Sequence, residues 1–483
     1  MNLAELLFTA GFKAVGDLDL SVTITGLSLD SRSVKPNDLF IGRCEFAQQA
    51  LNAGASFALR WGIGVSSNPK IITIEPIASE DLAGVAWKIS AAFYGLIPMP
   101  LTLFAVTGTN GKTTVTSIVQ ELLSKNNTEC ALIGTIKYQL GNKILSATHT
   151  TPSAITLAEL FVQINQQGIS ACALEVSSHA LEQERILSKD IDVAIFTNLT
   201  RDHLDYHGSM QAYGLAKQKL FTSLPAQAVA IINLDDDFSK VLLAKTNASK
   251  VLTYAIDKPA TLRAQNINYH LDGSCFELIY QNKIYQTELS IIGKHNIYNA
   301  LAGALALISR GYSPDKVFAT LKNIKGAIGR MQVVGKYNGA SILVDYAHTP
   351  DATEHLLRSL QALSTNNIHI VFGCGGNRDK GKRAIMGRIA SEYSDYIYIT
   401  SDNPRFEDPL QIINDIYKGV ANTQNCYINI DRRKAIADAI NNLTTGDILV
   451  VAGKGHETYQ SICGQDKQFN DAVIIKDILE TLS

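Results

Sequence analysis

The chain has 483 residues, of which 46% are hydrophobic and 18% are charged. These values are typical of a folded globular protein and exclude a disordered or coiled-coil chain. At roughly 150 residues per domain, the length predicts about three domains. Because 43 basic residues are balanced by 45 acidic ones, the chain has no global positive field, and we expect neither nucleic acid nor a membrane as a partner.

The cysteine pattern and the N-terminus indicate a cytoplasmic protein. Seven cysteines are scattered without CxxC spacing, and their odd number argues against a disulfide framework. The N-terminal stretch carries acidic residues and lacks the basic start and long apolar core of a signal peptide. No uninterrupted apolar run reaches membrane-spanning length.

The first part of the chain, residues 1–98, is predicted to be a small α/β domain. Short alternating segments at 22–24 and 71–74 are joined by turns rich in Gly, Asn, Asp and Pro. Pro98 and Pro100 then precede a new apolar strand, which marks a linker.

Two larger α/β domains are predicted after the linker. Over residues 99–329, strands at 171–176 and 193–197 alternate with helices at 155–167 and 299–310, a pattern that favours a parallel sheet. Over residues 330–483, strands alternate with helices again, which indicates a doubly wound, Rossmann-like domain. Its predicted strands cover 341–344, 368–372, 396–400 and 447–451.

A phosphate loop is the strongest motif. Apolar residues 103–106 run into a loop that is followed by a helix-periodic stretch, and the loop reads Gly108, Thr109, Asn110, Gly111, Lys112, Thr113, Thr114. Glycines let backbone N–H groups converge on phosphate oxygens, the lysine reaches the β- and γ-phosphates, and Thr113 offers a hydroxyl to Mg²⁺. The strict pattern has glycine where this chain has Val106, so the alternative is a plain glycine-rich turn. We predict an α/β protein whose central parallel sheet is a P-loop ATPase domain.

Metal-binding residues are expected near this loop. Glu175 closes an apolar strand, so its carboxylate should lie at the edge of the sheet where ligands gather, although a solvent-exposed strand-end charge is the alternative. His203 and His207 would share one face of a helix, as a transition-metal pair does. The surrounding oxygen-rich residues favour Mg²⁺ or Mn²⁺ over Zn²⁺ instead; they are Thr113, Glu175, Asp202 and Asp205.

Three further basic residues are candidates. Lys217 lies beside the apolar face of a predicted helix, and from its pattern alone a surface lysine is favoured. Arg378 and Arg405 follow two predicted strands of the third domain. Two guanidinium groups at strand carboxyl ends suit a substrate with two carboxylates, because the planar fork binds carboxylate through paired hydrogen bonds.

The chain resembles the Mur ligases. Its loop GTNGKTT is similar to that of the Mur ligases and folylpolyglutamate synthetases, and nine later segments match the same family in the same order. They are LEVSSHAL, NLTRDHLDYH, YGLAKQKLF, GKHNIYNALA, GRMQVV, DYAHTPD, GCGGNRDKGKR, SDNPRFEDP and AGKGHE. Together they extend from about residue 100 to the C-terminal end. The DNPR sequence resembles the diaminopimelate-adding branch of the family.

This resemblance implies an ATP-dependent amide ligase in peptidoglycan precursor synthesis. Such an enzyme joins meso-diaminopimelate to the D-Glu γ-carboxylate of UDP-MurNAc-L-Ala-D-Glu through an acyl phosphate and releases ADP and phosphate. The implied cofactors are ATP and two Mg²⁺ ions, with a CO₂-derived carbamate on Lys217. The implied catalytic residues are Lys112, Glu175, His203 and Lys217, and the metal ligands are Thr113, Glu175, His203 and carboxylated Lys217. We expect a monomer that acts on small molecules.

The resemblance also assigns substrate contacts. Beyond the phosphate loop, the ATP contacts are Asn296, Asn299, Arg330 and Asp345, in a site shared between two domains that closes over substrate. The UDP-MurNAc-dipeptide contacts are Leu29, Ser31, Thr150, Thr151, Ser177, Gln183 and Arg185. The diaminopimelate contacts are Arg378, Asp402, Asn403, Pro404, Arg405, Gly453 and Glu457. After Phe40 the chain departs from its relatives, because a compressed segment, IGRCEFAQQALNAGA, replaces their glycine-rich one.

Several alternatives stay open at this point. Taken singly, Asn296 is explained as a helix cap, Arg330 as a solvated linker charge and His207 as an ordinary histidine. A P-loop motor or transporter ATPase would need a Walker B strand ending in Asp, for which Glu175 is a partial substitute. The glutamate-adding folate ligases share the loop but not DNPR or GKGHE. A non-catalytic nucleotide sensor would have little use for Lys217 and Arg405 together.

Overall fold

A computed structural model describes residues 1–15, 19–61, 66, 68–77, 83–270, 273–326 and 329–482, without the side chains of Cys44 and Trp61. The chain divides into two compact units, Met1–Leu262 with Leu301–Val317, and Arg263–Ala300 with Phe318–Ser483. Helices alternate with mostly parallel strands in both units, so the predicted α/β class is confirmed. Among the helices of the described residues, none combines the length and the apolar character that a membrane crossing demands.

The first unit opens with a five-stranded sheet in the order β1, β5, β4, β3, β2, where only β1 is antiparallel to its neighbour. Its strands are β1 (Phe12–Ala14), β2 (Gly26–Ser28), β3 (Asp38–Ile41), β4 (Phe57–Trp61) and β5 (Ile71–Pro76). Its helices are α1 (Leu3–Thr9), α2 (Ala47–Ala53) and α3 (Val85–Phe93), with a 3-10 turn at Cys44–Phe46.

The alternating segment at 22–24 does not form a strand. Thr23 forms only an isolated bridge with Asn2, and the strand begins at Gly26, which pairs with Asp38. The alternation in the sequence reflects the burial of Ile24 in the core of this sheet, not a ladder of hydrogen bonds.

Helix α3 contributes to two hydrophobic cores of the first unit. Val85 and Ile89 pack into the core of the five-stranded sheet, whereas Trp87 and Ala91 pack into the core of the following sheet. The Trp87 indole N–H donates to Asp190 at 2.6 Å. The three predicted domain ranges, 1–98, 99–329 and 330–483, stay a prediction.

The following sheet is the centre of the first unit. Its strands lie in the order β13, β12, β11, β6, β10, β7, β8, β9; the first six are parallel and the last two form antiparallel pairs. The strands are β6 (Thr102–Thr107), β7 (Cys130–Ile133), β8 (Lys137–Leu140), β9 (Lys143–Ser146), β10 (Ala171–Glu175), β11 (Val193–Phe196), β12 (Val229–Asn233) and β13 (Lys250–Ala255). The helices are α4 (Lys112–Lys125), α5 (Ala154–Gln166), α6 (Ser178–Glu182), α7 (Leu204–His207), α8 (Met210–Thr222) and α9 (Ser239–Lys245), with a 3-10 turn at Ser188–Asp190.

This central sheet is buried on both faces, as parallel sheets require. Strands β6, β10 and β11 are apolar and almost wholly inaccessible, because α4 packs against β6, β7 and β10 and alternate residues join the core with α5 and α8. The chain continues with β14 (Leu262–His270), β15 (Gly273–Tyr280), β16 (Lys283–Leu289), α10 (Lys294–Ser309), α11 (Pro314–Thr320) and a 3-10 turn at Leu321–Asn323. Helix α10 begins five residues before the predicted start at 299.

The second unit contains a doubly wound sheet in the order β17, β18, β22, β19, β20, β21, in which β17 alone is antiparallel to its neighbour. The strands are β17 (Gln332–Tyr337), β18 (Ala340–Asp345), β19 (Ile368–Phe372), β20 (Tyr396–Thr400), β21 (Cys426–Asn429) and β22 (Ile448–Ala452), followed by a hairpin of β23 (Tyr459–Ile462) and β24 (Gln465–Gln468). The helices are α12 (Pro350–Gln361), α13 (Gly381–Tyr393), α14 (Pro409–Tyr417), α15 (Arg432–Asn441) and α16 (Asp471–Leu482).

Helices cover both faces of this sheet. One core joins α12, α13 and α14 to the strands, and another joins α15 and α16 to the opposite face. Strand predictions at 368–372 and 396–400 are confirmed to the residue.

A buried ion pair connects the two helices of the second face. Arg432 at the start of α15 donates to both carboxylate oxygens of Asp471 at 2.8 Å, and both side chains are fully buried. Arg432 also donates to the carbonyl oxygen of Ala452 at 2.8 Å, so the pair reaches the end of β22.

We predict that Arg432→Ala lowers the free energy of unfolding by about 3–5 kcal/mol, because Asp471 is left as an uncompensated buried charge. The matched control is Arg433→Ala, which removes a half-exposed ion pair with Asp477 at 3.4 Å and should cost about 0–1 kcal/mol. Urea unfolding of both full-length variants, followed by circular dichroism, measures the difference. Equal losses in the two variants would contradict this account.

Candidate active site

The loop between β6 and α4 has the strand–loop–helix context that its sequence predicts. Gly108 has φ 151°, and a Cβ there would clash with the Thr197 hydroxyl, so the position accepts only glycine. Gly111, with φ 87°, caps α4. The Lys112 ammonium folds back onto the carbonyl oxygens of Gly108 and Thr109, each at 2.9 Å. This geometry directs the helix N-terminus and a lysine toward the same point, as anion binding requires.

Residues after β11 brace the loop. The Thr109 N–H donates to the Asn198 carbonyl oxygen at 2.8 Å, and the Asn110 N–H donates to the Asn198 side-chain oxygen at 2.9 Å. The Thr197 hydroxyl donates to the Asn110 carbonyl oxygen at 2.6 Å. These bonds fix the shape of the loop.

Glu175 is the last residue of β10, and its carboxylate is completely buried beside the loop. Thr113 Oγ1 donates to it at 3.0 Å, and Thr135 donates both its N–H, at 2.9 Å, and its hydroxyl, at 3.0 Å. Burial raises the pKa of Glu175, while the Lys112 charge acts against that rise. The alternative of a solvent-exposed strand-end charge is therefore wrong. A hard cation suits the hydroxyl and carboxylate oxygens of Thr113 and Glu175.

Thr135 was missed by the sequence analysis. It follows β7, the neighbour of β10 in the parallel sheet, so its side chain lies at the same edge as Glu175. The signal was present in the sequence, because a threonine directly after an apolar strand and a glycine is a candidate for the carboxyl edge.

Lys217 is buried with only 1% of its surface exposed, so the interpretation as a surface lysine is wrong. Its ammonium donates to the Gly108 carbonyl oxygen at 2.8 Å and lies 4.4 Å from the centre of the Tyr213 ring. Burial, followed by the Lys112 charge, lowers the pKa of Lys217 well below its ordinary value. A lysine in this environment supplies a neutral amine far more readily than one in water.

His203 and His207 do not share a helix face. Helix α7 begins at Leu204, and His203 precedes it with φ 51°. The His203 imidazole lies 3.5 Å from an Asp202 oxygen, while His207 Nε2 lies 3.0 Å from the Ser178 hydroxyl. The hypothesis of a helical transition-metal pair is thus wrong. Over the part of the chain that the structure describes, no group of three or more His, Cys, Asp and Glu side chains is arranged to hold a metal by itself.

Five of the predicted sugar-dipeptide residues lie together around Glu175. The Thr151 hydroxyl donates to the Glu175 carbonyl oxygen at 2.8 Å and accepts from the Ser177 N–H at 3.0 Å. Arg185 donates to the Thr151 carbonyl oxygen and to the Gln183 side chain. Thr150 Oγ1 lies 3.0 Å from Thr135 Oγ1.

The two predicted contacts of the first sheet lie elsewhere. Ser31 donates to the Gln49 side chain at 3.0 Å, and Leu29 is exposed. No hydrogen bond among the described contacts links Ser31 to the group around Glu175.

In the second unit, Asn296 and Asn299 are buried and bonded to each other, since Asn299 donates to the Asn296 oxygen at 3.0 Å. Asn296 donates to the Ile292 carbonyl oxygen at 2.8 Å. Helix α10 already begins at Lys294, so the explanation of Asn296 as an N-cap is wrong.

Asp345 is the last residue of β18, and Arg330 packs on Tyr346, the residue that follows it. The Asp345 carboxylate accepts the N–H groups of Met331 and Ala347, each at 2.7 Å. The Arg330 guanidinium lies over the Tyr346 ring at 4.7 Å from its centre. Arg330 is half-buried and stacked, in contrast to the alternative of a solvated linker charge.

Arg378 and Arg405 lie on loops that follow adjacent strands, β19 and β20. Arg405, with φ 51°, donates to the Gly376 carbonyl oxygen at 2.9 Å. A Cβ built on Gly375 would lie 2.9 Å from Arg405 Nη1 and 3.7 Å from Arg378 Cγ, so both side chains pass the same point. A Cβ on Gly376 would clash with the Pro404 carbonyl oxygen. The Arg405 guanidinium and the stem of the Arg378 side chain thus lie near the same glycine, and the binding of two carboxylates by these arginines stays a prediction.

Lys454, which the sequence analysis missed, joins two of the remaining predicted amino-acid contacts, Asn403 and Glu457. Its fully buried ammonium donates to the Glu457 carboxylate at 2.8 Å and to the Asn403 oxygen at 3.1 Å. Asn403 also donates to the same Glu457 oxygen at 2.8 Å. Gly453, with φ 106°, approaches the Asp402 carboxylate so closely that a Cβ would lie 2.9 Å from it. Glu457 is therefore oriented, and partly neutralised, through one of its two oxygens.

The chain matches known proteins along most of its length. Residues 106–307 match the family described as Mur ligase middle domain, and residues 329–455 match the Mur ligase, glutamate ligase domain. It is 37% identical to the UDP-N-acetylmuramoyl-L-alanyl-D-glutamate–2,6-diaminopimelate ligase of Geobacillus kaustophilus (strain HTA426), over 94% of each chain. It is 36% identical to the ligase of the same name from Caldanaerobacter subterraneus subsp. tengcongensis, over 99% of each chain.

Solved structures agree with these sequence matches. One, described as a UDP-N-acetylmuramoyl-L-alanyl-D-glutamate–2,6-diaminopimelate ligase, has a TM-score of 0.71 and 34% identity and covers 96% of this chain and 97% of its own. The MurF ligase of Thermotoga maritima in complex with ADP has a TM-score of 0.60 and 17% identity, covering 94% of this chain and 97% of its own; that likeness concerns the fold alone. The phosphate loop, the buried Glu175 and these matches lead to one conclusion: the chain belongs to the Mur ligase family, whose members are enzymes that form amide bonds at the expense of ATP.

Proposed function

We propose that this ligase joins meso-diaminopimelate to the D-Glu γ-carboxylate of UDP-MurNAc-L-Ala-D-Glu, in the synthesis of peptidoglycan precursors. The observation that carries the proposal is that Arg378 and Arg405 lie on touching loops after the adjacent strands β19 and β20, with the Arg405 guanidinium bonded to Gly376 of the Arg378 loop. Diaminopimelate differs from lysine by one additional carboxylate, and a lysine-adding enzyme has no use for a second guanidinium there. The names of the relatives support the same substrate.

The first chemical step is the activation of the γ-carboxylate by ATP. A carboxylate does not react with an amine at neutral pH, because oxide is a poor leaving group, so it attacks the γ-phosphate and becomes an acyl phosphate while ADP leaves. The residues of the phosphate loop bind the phosphates, and the Lys112 charge stabilises the negative charge that develops on the transferred group. The amine then attacks the acyl carbon, and phosphate leaves from the tetrahedral intermediate.

Mg²⁺ suits the oxygen ligands at this loop. Thr113 and Glu175 would hold one ion, and His203 with Lys217 would hold a second, the lysine after it has become a carbamate. When bound, Mg²⁺ neutralises charge on the phosphoryl oxygens. Burial of Lys217 supports the carbamate, since CO₂ adds only to a neutral amine, and the addition converts a buried cation into an anion that a metal compensates.

On the amino-acid side, Arg405 binds the distal carboxylate of diaminopimelate and Glu457 binds the distal ammonium. Asp402, Asn403 and Pro404 shape the loop that carries Arg405, and Gly453 leaves space for the substrate beside Asp402. Because Lys454 occupies one Glu457 oxygen, the other remains for the ammonium. This pairing of one cation and one anion suits the zwitterionic end of the substrate.

The cellular setting is part of the same proposal. A scattered cysteine set, six members of which are free thiols in the described structure, suits a reducing cytoplasm. We expect a monomer that binds small molecules and neither nucleic acid nor membrane. The ATP contacts are expected to include Asn296, Asn299, Arg330 and Asp345, and the sugar-dipeptide contacts are expected to include the residues around Thr151.

We predict that ATP turnover requires both the sugar-dipeptide and diaminopimelate, since the acyl phosphate is consumed only when an amine captures it. A phosphate-release assay with purified UDP-MurNAc-dipeptide, offering diaminopimelate and lysine in parallel, measures this requirement. Omission of either substrate should reduce phosphate release to background. Rapid hydrolysis of ATP by the protein alone would place it among the P-loop motor ATPases.

We predict that Lys217→Ala abolishes ligation and that added formate or acetate partly restores it, because the carbamate serves as an anionic metal ligand. The control is Lys219→Ala on the same helix, since Lys219 is half-exposed and paired with Glu182 at 3.1 Å. Activity of the control should match the parent enzyme. Full activity of Lys217→Ala without added carboxylate would remove the carbamate proposal.

We predict that Arg405→Ala selectively impairs the use of diaminopimelate. The variant leaves a desolvated carboxylate without its partner, at a cost of about 2–5 kcal/mol, or roughly 30-fold to several thousandfold in kcat/KM. Lysine should be a poor substrate of the parent and should be affected far less, so the ratio of the two kcat/KM values is the quantity to measure.

Arg388→Ala is the control for this comparison, because Arg388 forms only an exposed ion pair within α13. In Arg388→Ala, the ratio of kcat/KM for diaminopimelate to kcat/KM for lysine should equal the ratio in the parent enzyme. An unchanged ratio in Arg405→Ala, or a parent enzyme that prefers lysine, contradicts the assignment of diaminopimelate while leaving the ligase assignment in place.

A further inference from the structure

Glu407 joins the two loops that carry Arg378 and Arg405. It lies two residues after Arg405, and one of its carboxylate oxygens accepts the backbone N–H of Asn377, the residue before Arg378. The same carboxylate accepts the Arg383 guanidinium at 3.0 and 3.1 Å. A single side chain therefore contacts both loops and the helix behind them.

Arg383 is a fully buried anchor for this carboxylate. It lies on α13, its side chain has no exposed surface, and its second nitrogen donates to Asp415 of α14 at 3.1 Å. Glu407 itself is 15% exposed, and the Lys380 ammonium lies 3.6 Å from it. An ion pair of this kind, with one partner fixed inside the fold, holds the other partner in one place far better than a surface pair does.

The two loops also contact each other directly. The Gly376 N–H donates to the Asn403 carbonyl oxygen at 2.9 Å, and the Phe406 N–H donates to the Asn377 side chain at 3.1 Å. One guanidinium nitrogen of Arg405 donates a hydrogen bond to the Gly376 carbonyl oxygen. The direction of the Arg405 side chain thus depends on where the other loop lies, and Glu407 supplies the one carboxylate that bonds across the two loops among the described hydrogen bonds.

We propose that Glu407, held by Arg383, is a positioning residue for the amino-acid substrate. It fixes the separation between the Arg378 loop and the Arg405 loop, so that the guanidinium groups meet carboxylates at a set distance. Glu407 does not touch the substrate and acts through Arg405 and Arg378. The inference rests on the proposed function, because it takes those arginines as the carboxylate-binding groups.

The test compares Glu407→Ala with Asp415→Ala in the full-length enzyme. Each variant removes one carboxylate from Arg383, so both should lower the melting temperature. Asp415, however, bonds to Arg383, Gln411 and Lys418, and none of these residues belongs to either loop. Glu407→Ala should raise the KM for meso-diaminopimelate by about tenfold to a hundredfold, the scale of a misplacement near 1 Å. The KM values for ATP and for the sugar-dipeptide should stay unchanged, and kcat should change much less than the KM for diaminopimelate. Asp415→Ala should leave all KM values near those of the parent.

Conservative variants complete the test. Glu407→Gln keeps an oxygen that accepts the Asn377 N–H but loses the charge that pairs with Arg383. Its KM for diaminopimelate should therefore lie between those of the parent and of Glu407→Ala, with Asp415→Asn as its counterpart. If Glu407→Ala does not fold, this second pair of variants decides the question alone, with an increase in KM expected only for Glu407→Gln.

Equal KM values for diaminopimelate in the Glu407 and Asp415 variants would overturn the positioning role and leave the proposed function intact. A parent enzyme that does not use diaminopimelate would instead overturn the proposed function. In that case the same variants are compared with the diamino acid that the parent accepts. The KM for that substrate still decides whether Glu407 positions the loops.

Discussion

The buried carboxylate of Glu175 is the interaction on which the ATP-binding side of the molecule depends. Removing a carboxylate from water is costly unless donors or cations compensate. Here the donors are the hydroxyls of Thr113 and Thr135 and one backbone N–H. The hydrogen bonds connect the ends of three strand-and-loop segments, β6, β7 and β10. The same carboxylate is therefore a structural link between these segments.

Two lysines complete the electrostatic arrangement around that carboxylate. Lys112 and Lys217 both donate to the carbonyl oxygen of Gly108, at 2.9 and 2.8 Å. Two ammonium groups on one oxygen repel each other, and the buried one is the group whose proton is easier to lose. The two lysines thereby lie in different surroundings: Lys112 begins α4 in the phosphate loop, whereas Lys217 is buried on α8 with a lowered pKa. Tyr213, itself buried, packs against the Lys217 ammonium.

Much of this arrangement was predictable, and the exceptions have physical reasons. The phosphate loop, Glu175 at the end of β10 and the two arginine loops follow from local patterns, because polar residues after apolar strands of a parallel sheet meet at one edge. Burial of Lys217 was not predictable from its helix, since the amphipathic pattern leaves a boundary position undecided. The turn at His203 escaped because a positive φ at a residue other than glycine is uncommon and the helical spacing of the two histidines gives no sign of it. The Arg383–Glu407 pair joins a helix to a loop 24 residues away, and no periodicity marks such partners.

Helix α3 has a consequence for how the protein reaches this state. The helix presents Val85 and Ile89 to one core and Trp87 and Ala91 to another. When the N-terminal part of the chain leaves the ribosome, the first core can form at once, but the side of α3 with Trp87 has no partner until α5 and Asp190 have been synthesised. During that interval the nascent chain carries an exposed aromatic surface, the kind of surface that chaperones bind and that promotes aggregation. The N-terminal region is for this reason a folding partner of the central sheet. A truncation directly after α3 would leave an apolar face on each fragment.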